Sequence, residues 1–224
     1  MKQITSIESQ SRPDSRRFNV FLDGRFAFSL AEELAARLSP GSYLSDPEIV
    51  DLQRQDGLYQ VYDAALTLLT YRPRSVVELR SRLLRRSFDP ELVDEVLAGL
   101  RQRGVVDDQE FARFWVENRQ SYRPRGGRLL QAELRAKGVD REIIDDVLPS
   151  PEEEDVAAYR LGQRKARSLK GMEWREFRQR LGDHLVRRGF SYETVATVTR
   201  RLWKETHDSA EAGPDDAPEA GSFD

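Results

Sequence analysis

The chain has 224 residues, a third of them charged and 38% apolar, with a net charge of −3, so a string of small helical units with thin cores suits it better than one thick globule. The absence of cysteine excludes disulfides and thiolate metal sites. No stretch approaches twenty apolar residues and no basic-then-apolar leader opens the chain, so a cytoplasmic location without membrane contact is expected.

Residues 1–58 read as an N-terminal extension of strands and helices. Arg17 to Leu22 and Arg25 to Ser29 flank Asp23-Gly24, a pair that favours a two-residue hairpin turn. Phe18, Val20 and Leu22 alternate on one strand and Phe26 and Phe28 on the other, with Ile4 to Ile7 as a third strand. Ser29 stands at an N-cap position with Glu32 three residues on, and Leu30, Leu34 and Leu38 follow at helical spacing until Pro40-Gly41. Asp46-Pro47 predicts the next helix start, with Asp46 as N-cap.

The body repeats itself. A shift of 51 residues lays Tyr71-Arg72-Pro73-Arg74 onto Tyr122-Arg123-Pro124-Arg125, and pairs Leu79 with Leu130, Leu83 with Leu134, Asp89 with Asp140 and Leu97 with Leu148. From 71 to 97 there are eleven identities in 27 positions, where ordinary composition gives roughly two. A second shift of 51 reaches Leu181, Leu185, Phe190, Glu193, Val195 and Leu202, in a copy that lacks the Tyr-Arg-Pro-Arg segment. The expected architecture is mainly α: three tandem three-helix repeats over 59–104, 105–150 and 151–204, in an elongated row, then a disordered acidic tail over 205–224.

Within the first repeat, Val61, Ala64, Ala65, Leu68 and Leu69 mark a buried helical stripe that Arg72-Pro73 ends. Ser75 caps a second helix carrying Val76, Leu79 and Leu83, and Asp89 caps a third carrying Leu92, Val93, Val96, Leu97 and Leu100. Gly138 and Gly189 stand between helices two and three of the later copies, and Gly104 closes the first repeat. Phe111, Phe114 and Trp115 have core spacing on the first helix of the second repeat.

Catalytic and metal chemistry is not expected. His184 falls at the solvent-facing position of Arg82 and Glu133, and His207 lies in the acidic tail, neither with partners spaced for a triad or a zinc site. Gly126-Gly127 lacks the rest of a phosphate-loop motif and reads as a turn at a helix start. Arginine is the chemistry that remains. Between Tyr159 and Lys204 there are thirteen basic residues and four acidic ones. The guanidinium fork suits carboxylate and phosphate, and a charge recurring at one period suits a periodic partner, although arginine also decorates solvated helix faces. The candidate contact residues are Tyr71, Arg72, Arg74, Tyr122, Arg123, Arg125, Arg128, Lys165, Arg167, Arg187 and Arg188, the two tyrosines being placed to stack on a partner.

Arg72-Pro73-Arg74-Ser75 through Glu78-Leu79, Phe88-Asp89-Pro90, Gly104-Val105-Val106-Asp107-Asp108 before Phe111-Ala112, Gly126 to Leu134, and Lys137-Gly138-Val139 together resemble the RecX family of recombination regulators. The resemblance covers roughly residues 60–203, and the hairpin-bearing extension is similar to that of longer members. It implies a non-enzymatic protein without cofactor that lodges in the groove of a RecA filament on single-stranded DNA. There it would suppress ATP hydrolysis, strand exchange and co-protease activity, and so modulate recombination, repair and the SOS response. A monomer is expected. The residues leave a second reading open, a non-sequence-specific DNA-binding protein that uses the basic third repeat on single strands or duplex. Base reading by the first two repeats is disfavoured, because Asp89, Glu91, Asp94 and Glu95, like Asp140, Glu142, Asp145 and Asp146, would repel phosphates from their third helices.

Overall fold

The computed structural model describes residues 1–10 and 16–211. It divides into two compact units, Met1–Asp107 and Asp108–Asp224. The fold is three tandem three-helix domains preceded by a small antiparallel sheet.

In the first unit, strands β1 (Lys2–Ser9), β2 (Arg17–Leu22), β3 (Arg25–Ala31) and β4 (Tyr43–Leu44) form one sheet in the order β3-β2-β1-β4. Asp23 and Gly24 both have positive φ, 49° and 79°, as the predicted two-residue turn requires. The fourth strand was not legible in the sequence. Facing also differs from simple alternation. Val20 pairs with Phe28 but Phe21 with Phe26, so Ala27 is an extra residue on β3. That bulge turns Phe26 outward, 59% exposed and edge-on to Phe21, while Phe28 is buried.

Strand β3 continues through Ala31, so Ser29 does not cap a helix. Its hydroxyl bonds the Asn19 side chain at 2.8 Å, and α1 (Glu32–Ala35) is a single turn whose N-cap, Ala31, has no side-chain cap bond. Leu30 and Leu34 are nevertheless buried as expected.

Helix α2 (Asp46–Leu69) is capped by Ser45 rather than Asp46. The Ser45 N–H donates to Glu48 at 2.7 Å and the Ser45 hydroxyl accepts from the Glu48 N–H, a complete capping box with Pro47 in the first turn. The helix runs unbroken through the boundary expected at 58. Its first half packs Ile49 and Leu52 on the sheet core of Ile4, Val20, Leu30 and Leu34. Its second half supplies Val61, Ala65 and Leu68 to the core of the first repeat. Gly57 permits the join, since a Cβ there would lie 2.6 Å from Leu92 Cδ1.

That core is closed by α3 (Val76–Leu84) and α4 (Pro90–Gln102). Ser75 accepts from the Glu78 N–H at 3.1 Å and Asp89 from the Glu91 N–H at 2.8 Å, both as the spacing predicts. Leu79, Leu83, Val93, Leu97 and Leu100 are buried between the helices.

The second unit holds the other two repeats: α5 (Asp108–Tyr122), α6 (Gly127–Ala136) and α7 (Arg141–Val147), then α8 (Pro151–Arg167), α9 (Trp174–Val186) and α10 (Tyr192–Glu211). Helices α4, α7 and α10 begin at 90, 141 and 192, which reproduces the 51-residue period. Phe111, Leu130, Leu134 and Ile144 form one core, and Phe177, Leu181, Leu185, Phe190 and Leu202 the other. Helix α10 continues to Glu211, so the first seven residues of the expected tail are helical, and His207 stacks on Trp203 with ring centroids 3.4 Å apart. Residues 212–224 of that tail lie outside the described residues.

One buried carboxylate joins sheet to helix. Asp56 on α2 is 4% exposed, takes both terminal nitrogens of Arg17 at 3.1 and 2.7 Å, and accepts from the Ala31 N–H and from Gln60, each at 2.7 Å. Asp56→Ala strands Arg17 and an amide, and is expected to lower unfolding free energy by about 3 kcal/mol in urea titrations. Arg54→Ala, which breaks the exposed pair with Glu95, is expected to cost under about 1 kcal/mol.

Candidate interaction surface

The two Tyr-Arg-Pro-Arg segments share a sequence but not a set of partners. In the first repeat Tyr71 is 79% exposed, whereas both arginines are tied to the protein. Arg72 holds Glu78 through two bonds of 3.1 and 3.0 Å. Arg74, expected on an exposed turn, is buried, and its Nε donates to the Leu68 carbonyl at the end of α2 at 2.9 Å. It closes a helix end whose carbonyls have no continuing helix to bond.

In the second repeat Tyr122 is 81% exposed and the pairing is reversed. Arg125 is half-buried and ion-paired with Glu133, which also accepts from Trp115 Nε1 at 2.8 Å and Arg119 Nε at 3.0 Å. The 51-residue shift explains the change. Glu78 corresponds to Leu129, so Arg123 loses its acid, and Arg82 corresponds to Glu133, so Arg125 gains one. Arg123 is exposed and has no ion pair among the described residues. Trp115 is consequently half-buried with its indole N–H engaged, whereas Phe111 beside it is fully buried.

Gly126-Gly127 begins α6, as expected of a turn, and also docks the third repeat. The Gly126 N–H donates to the Arg188 carbonyl at 2.9 Å, and the Gly127 N–H donates to the Glu154 carboxylate. A Cβ on Gly126 would run into the Gly189 carbonyl and the Phe190 nitrogen. Gly189 has φ +86°, and a Cβ on it would sit 2.7 Å from the Leu129 nitrogen. Two glycines thus bring two backbones together without side chains between them.

This contact sets Arg188 against the second turn. Tyr122, Arg123, Arg160, Arg164, Arg188 and Gln120 line an open cleft of about 490 Å³, with no carboxylate in its lining. Burial, then Arg119, Arg188 and Arg123, lower the Arg125 pKa, which registers the local positive charge. His184, one turn before Arg188, is half-buried rather than solvent-facing. Burial, then Arg188, Arg187 and Lys165, hold its pKa below the usual imidazole value.

Of the predicted contact residues, the structure therefore gathers Tyr122, Arg123 and Arg188 in one cleft, with Lys165 and Arg187 near Arg188 through His184. Arg128 is exposed and lies 5.8 Å from the Tyr192 ring, and Arg167 is exposed outside the cleft lining. Tyr71, Arg72 and Arg74 belong to the first unit. Arg160, Arg164 and Gln120 line the cleft but are not among the predicted contact residues. The i, i+4 spacing of Arg160 and Arg164 on one helix face was the available signal.

Residues 2–39 match the family profile of the regulatory protein RecX N-terminal domain. Residues 62–107, 107–148 and 152–199 match the first, second and third three-helix domains of RecX. The chain is 31% identical over 215 residues to regulatory protein RecX of Bacillus subtilis strain 168, covering 94% of this chain and 81% of that one. It is 30% identical over 215 residues to its counterpart in Bacillus licheniformis, with the same coverage. A crystal structure of regulatory protein RecX superposes with a TM-score of 0.71 at 27% identity, over 89% of this chain and all of that one. RecX from Lactobacillus salivarius shares the fold at a TM-score of 0.61 and 22% identity, over 66% and 97% of the two chains.

The glycine contact can be tested by calorimetry. Gly104→Ala meets open space at φ +67° and is expected to cost about 1 kcal/mol for its left-handed backbone alone. Gly189→Ala adds the approach to Leu129 and is expected to cost more than about 2 kcal/mol. Equal losses at the two positions would contradict a close contact between the second and third repeats.

Proposed function

The chain belongs to the RecX family of regulatory proteins, and on that premise we propose that it binds the RecA filament assembled on single-stranded DNA and suppresses its ATP hydrolysis, strand exchange and co-protease activity. The observation that carries this reading is the match of the N-terminal domain and all three helical domains in order along one chain. The physical features accord with it. Two tyrosines, Tyr71 and Tyr122, stand about four-fifths exposed at equivalent places of successive repeats, suited to stacking on a partner that is itself repetitive. Among the described residues no helix is long and apolar enough to cross a membrane. In this reading the protein is a cytoplasmic monomer that works by occupancy, without cofactor or turnover of its own.

A second reading, sequence-indifferent DNA binding, is favoured by the arginine cleft and the surplus of positive charge in the third repeat. ATP hydrolysis by RecA on single-stranded DNA, titrated with this chain, separates the two. Inhibition is expected below one copy per RecA subunit. Tyr71→Ala/Tyr122→Ala/Arg123→Ala, which removes exposed groups only, is expected to weaken it by about tenfold or more. Arg74 and Arg125 are left intact because their replacement would disturb the fold. An unchanged hydrolysis rate from a chain that still grips naked DNA would favour the second reading.

A further inference from the structure

A groove of about 820 Å³ runs between α9 and α10 of the third repeat. The 51-residue period shows how it opened. In the first repeat the corresponding helices, α3 and α4, are bridged by Arg80 and Asp94 through two bonds of 2.7 and 2.9 Å. Two periods on, Gly182 stands for Arg80 and Ala196 for Asp94, so the bridge is gone and the space between the helices is open. Thr199 lines the groove where the first two repeats have Leu97 and Leu148. Arg178 and Arg200 stand where the first has Val76 and Ala98. Thr199 is 2% exposed, and its hydroxyl oxygen is buried without a hydrogen-bond partner, although a helical threonine can bond the carbonyl four residues back. A core leucine exchanged for a threonine with an unmet hydroxyl weakens the packing, so the group has its use at the groove.

Rim and floor narrow the chemistry of an occupant. Arg175, Arg178 and Arg200 are exposed along the rims, and Val186, Val195 and Ala196 supply a floor of short apolar side chains. Trp174 closes one end, packed edge-on to Trp203 with ring centroids 5.3 Å apart, and Tyr192 stands at the other. Asp183 also lines the groove. A polyanion of continuous charge would meet that carboxylate, whereas spaced carboxylates among small apolar side chains match both rim and floor. That pattern is an acidic peptide segment.

Such a segment follows α10 directly. Residues 212–224, which lie outside the described residues, carry Asp215, Asp216, Glu219 and Asp224 without a lysine or arginine, among Ala217, Ala220 and Phe223. From Thr199 to Glu211 the helix rises about 18 Å. An extended chain covers that distance in about six residues, which leaves Pro218 to Asp224 within reach of the groove. A short tether also gives the segment a high effective concentration there.

We propose that the α9–α10 groove binds an acidic peptide segment, and that the segment it takes is this chain's own, residues 212–224. Its carboxylates meet Arg175, Arg178 and Arg200, and its apolar side chains meet the floor. Occupancy hides these three arginines from any other anion until the segment is displaced. The site stands apart from the filament reading and does not rest on it.

Disulfide trapping in the full chain tests it, and the absence of native cysteine makes each engineered pair unambiguous. Ser222→Cys is combined either with Ala196→Cys in the groove or with Lys204→Cys, exposed on the same helix outside the groove lining. Unguided closure favours Lys204 slightly, because the loop to it is shorter. The proposal predicts the reverse, with the Ala196 pair closing about fivefold faster or more. Asp215→Asn/Asp216→Asn/Glu219→Gln, which alters no described residue, is expected to erase that advantage. Arg175→Gln/Arg178→Gln/Arg200→Gln is expected to do the same, with circular dichroism checking that it is folded. Arg101→Gln/Arg103→Gln/Arg141→Gln, which removes three exposed charges elsewhere, is expected to leave the advantage unchanged. Equal closure at the two positions, faster closure at Lys204, or an advantage that survives neutralisation of the acidic residues would overturn the proposal. So would equal loss in the control variant. Disulfide-linked dimers whose yield rises with protein concentration, in place of the intramolecular product, would overturn it in favour of a second copy as the occupant.

Discussion

The arrangement of the second unit depends on one backbone contact, the Gly126 N–H on the Arg188 carbonyl, with Gly189 and Phe190 packed where a side chain on Gly126 would be. Three-helix units of this size bury too little apolar surface to be stable singly, so each must lean on a neighbour. Here the leaning is through main chain, which leaves little freedom in the angle between the second and third repeats. The same contact has a consequence for the surface. It fixes an arginine of the third repeat beside the turn of the second, and the cleft follows from that placement.

Duplication followed by small changes accounts for how two copies of one four-residue segment come to do different work. Proline ends the preceding helix in both, and tyrosine is exposed in both. The difference arises on the following helix, where Glu78 and Arg82 of the first copy become Leu129 and Glu133 of the second. Moving a single acid by one turn transfers the ion pair from the segment's first arginine to its second. In the first repeat Arg74 closes a helix end, and in the second Arg123 is left exposed without an ion pair among the described residues. Recurrence of arginine in sequence therefore does not imply recurrence of exposed charge, because charge availability is set by the nearest acid.

Much of the fold was legible because helices announce themselves by local rules. Ser75 and Asp89 cap where the spacing places them, and the 51-residue period recurs in the starts of α4, α7 and α10. Where the reading failed, a contact distant in sequence overrode a local preference. Ser29 looks like an N-cap, but pairing of Arg17 with Ala31 keeps it in a strand. Asp56 draws no attention in sequence, yet it joins sheet and helix through Arg17 and Ala31. The single residue of the Ala27 bulge reverses Phe26, and periodicity cannot register an insertion of one. The candidate surface was legible in composition and hidden in detail. Arginine and tyrosine are prominent along the chain, but which arginines are neutralised depends on Glu78 and Glu133, three-dimensional neighbours that appear unremarkable in sequence.

Hydrogen–deuterium exchange of the full chain, with and without RecA assembled on single-stranded DNA, tests the central claim most directly. The account predicts slowed exchange at the second Tyr-Arg-Pro-Arg turn and around Arg188 when filament is added, with no such change for RecA alone. Protection absent from both segments, with filament nonetheless bound, would contradict it.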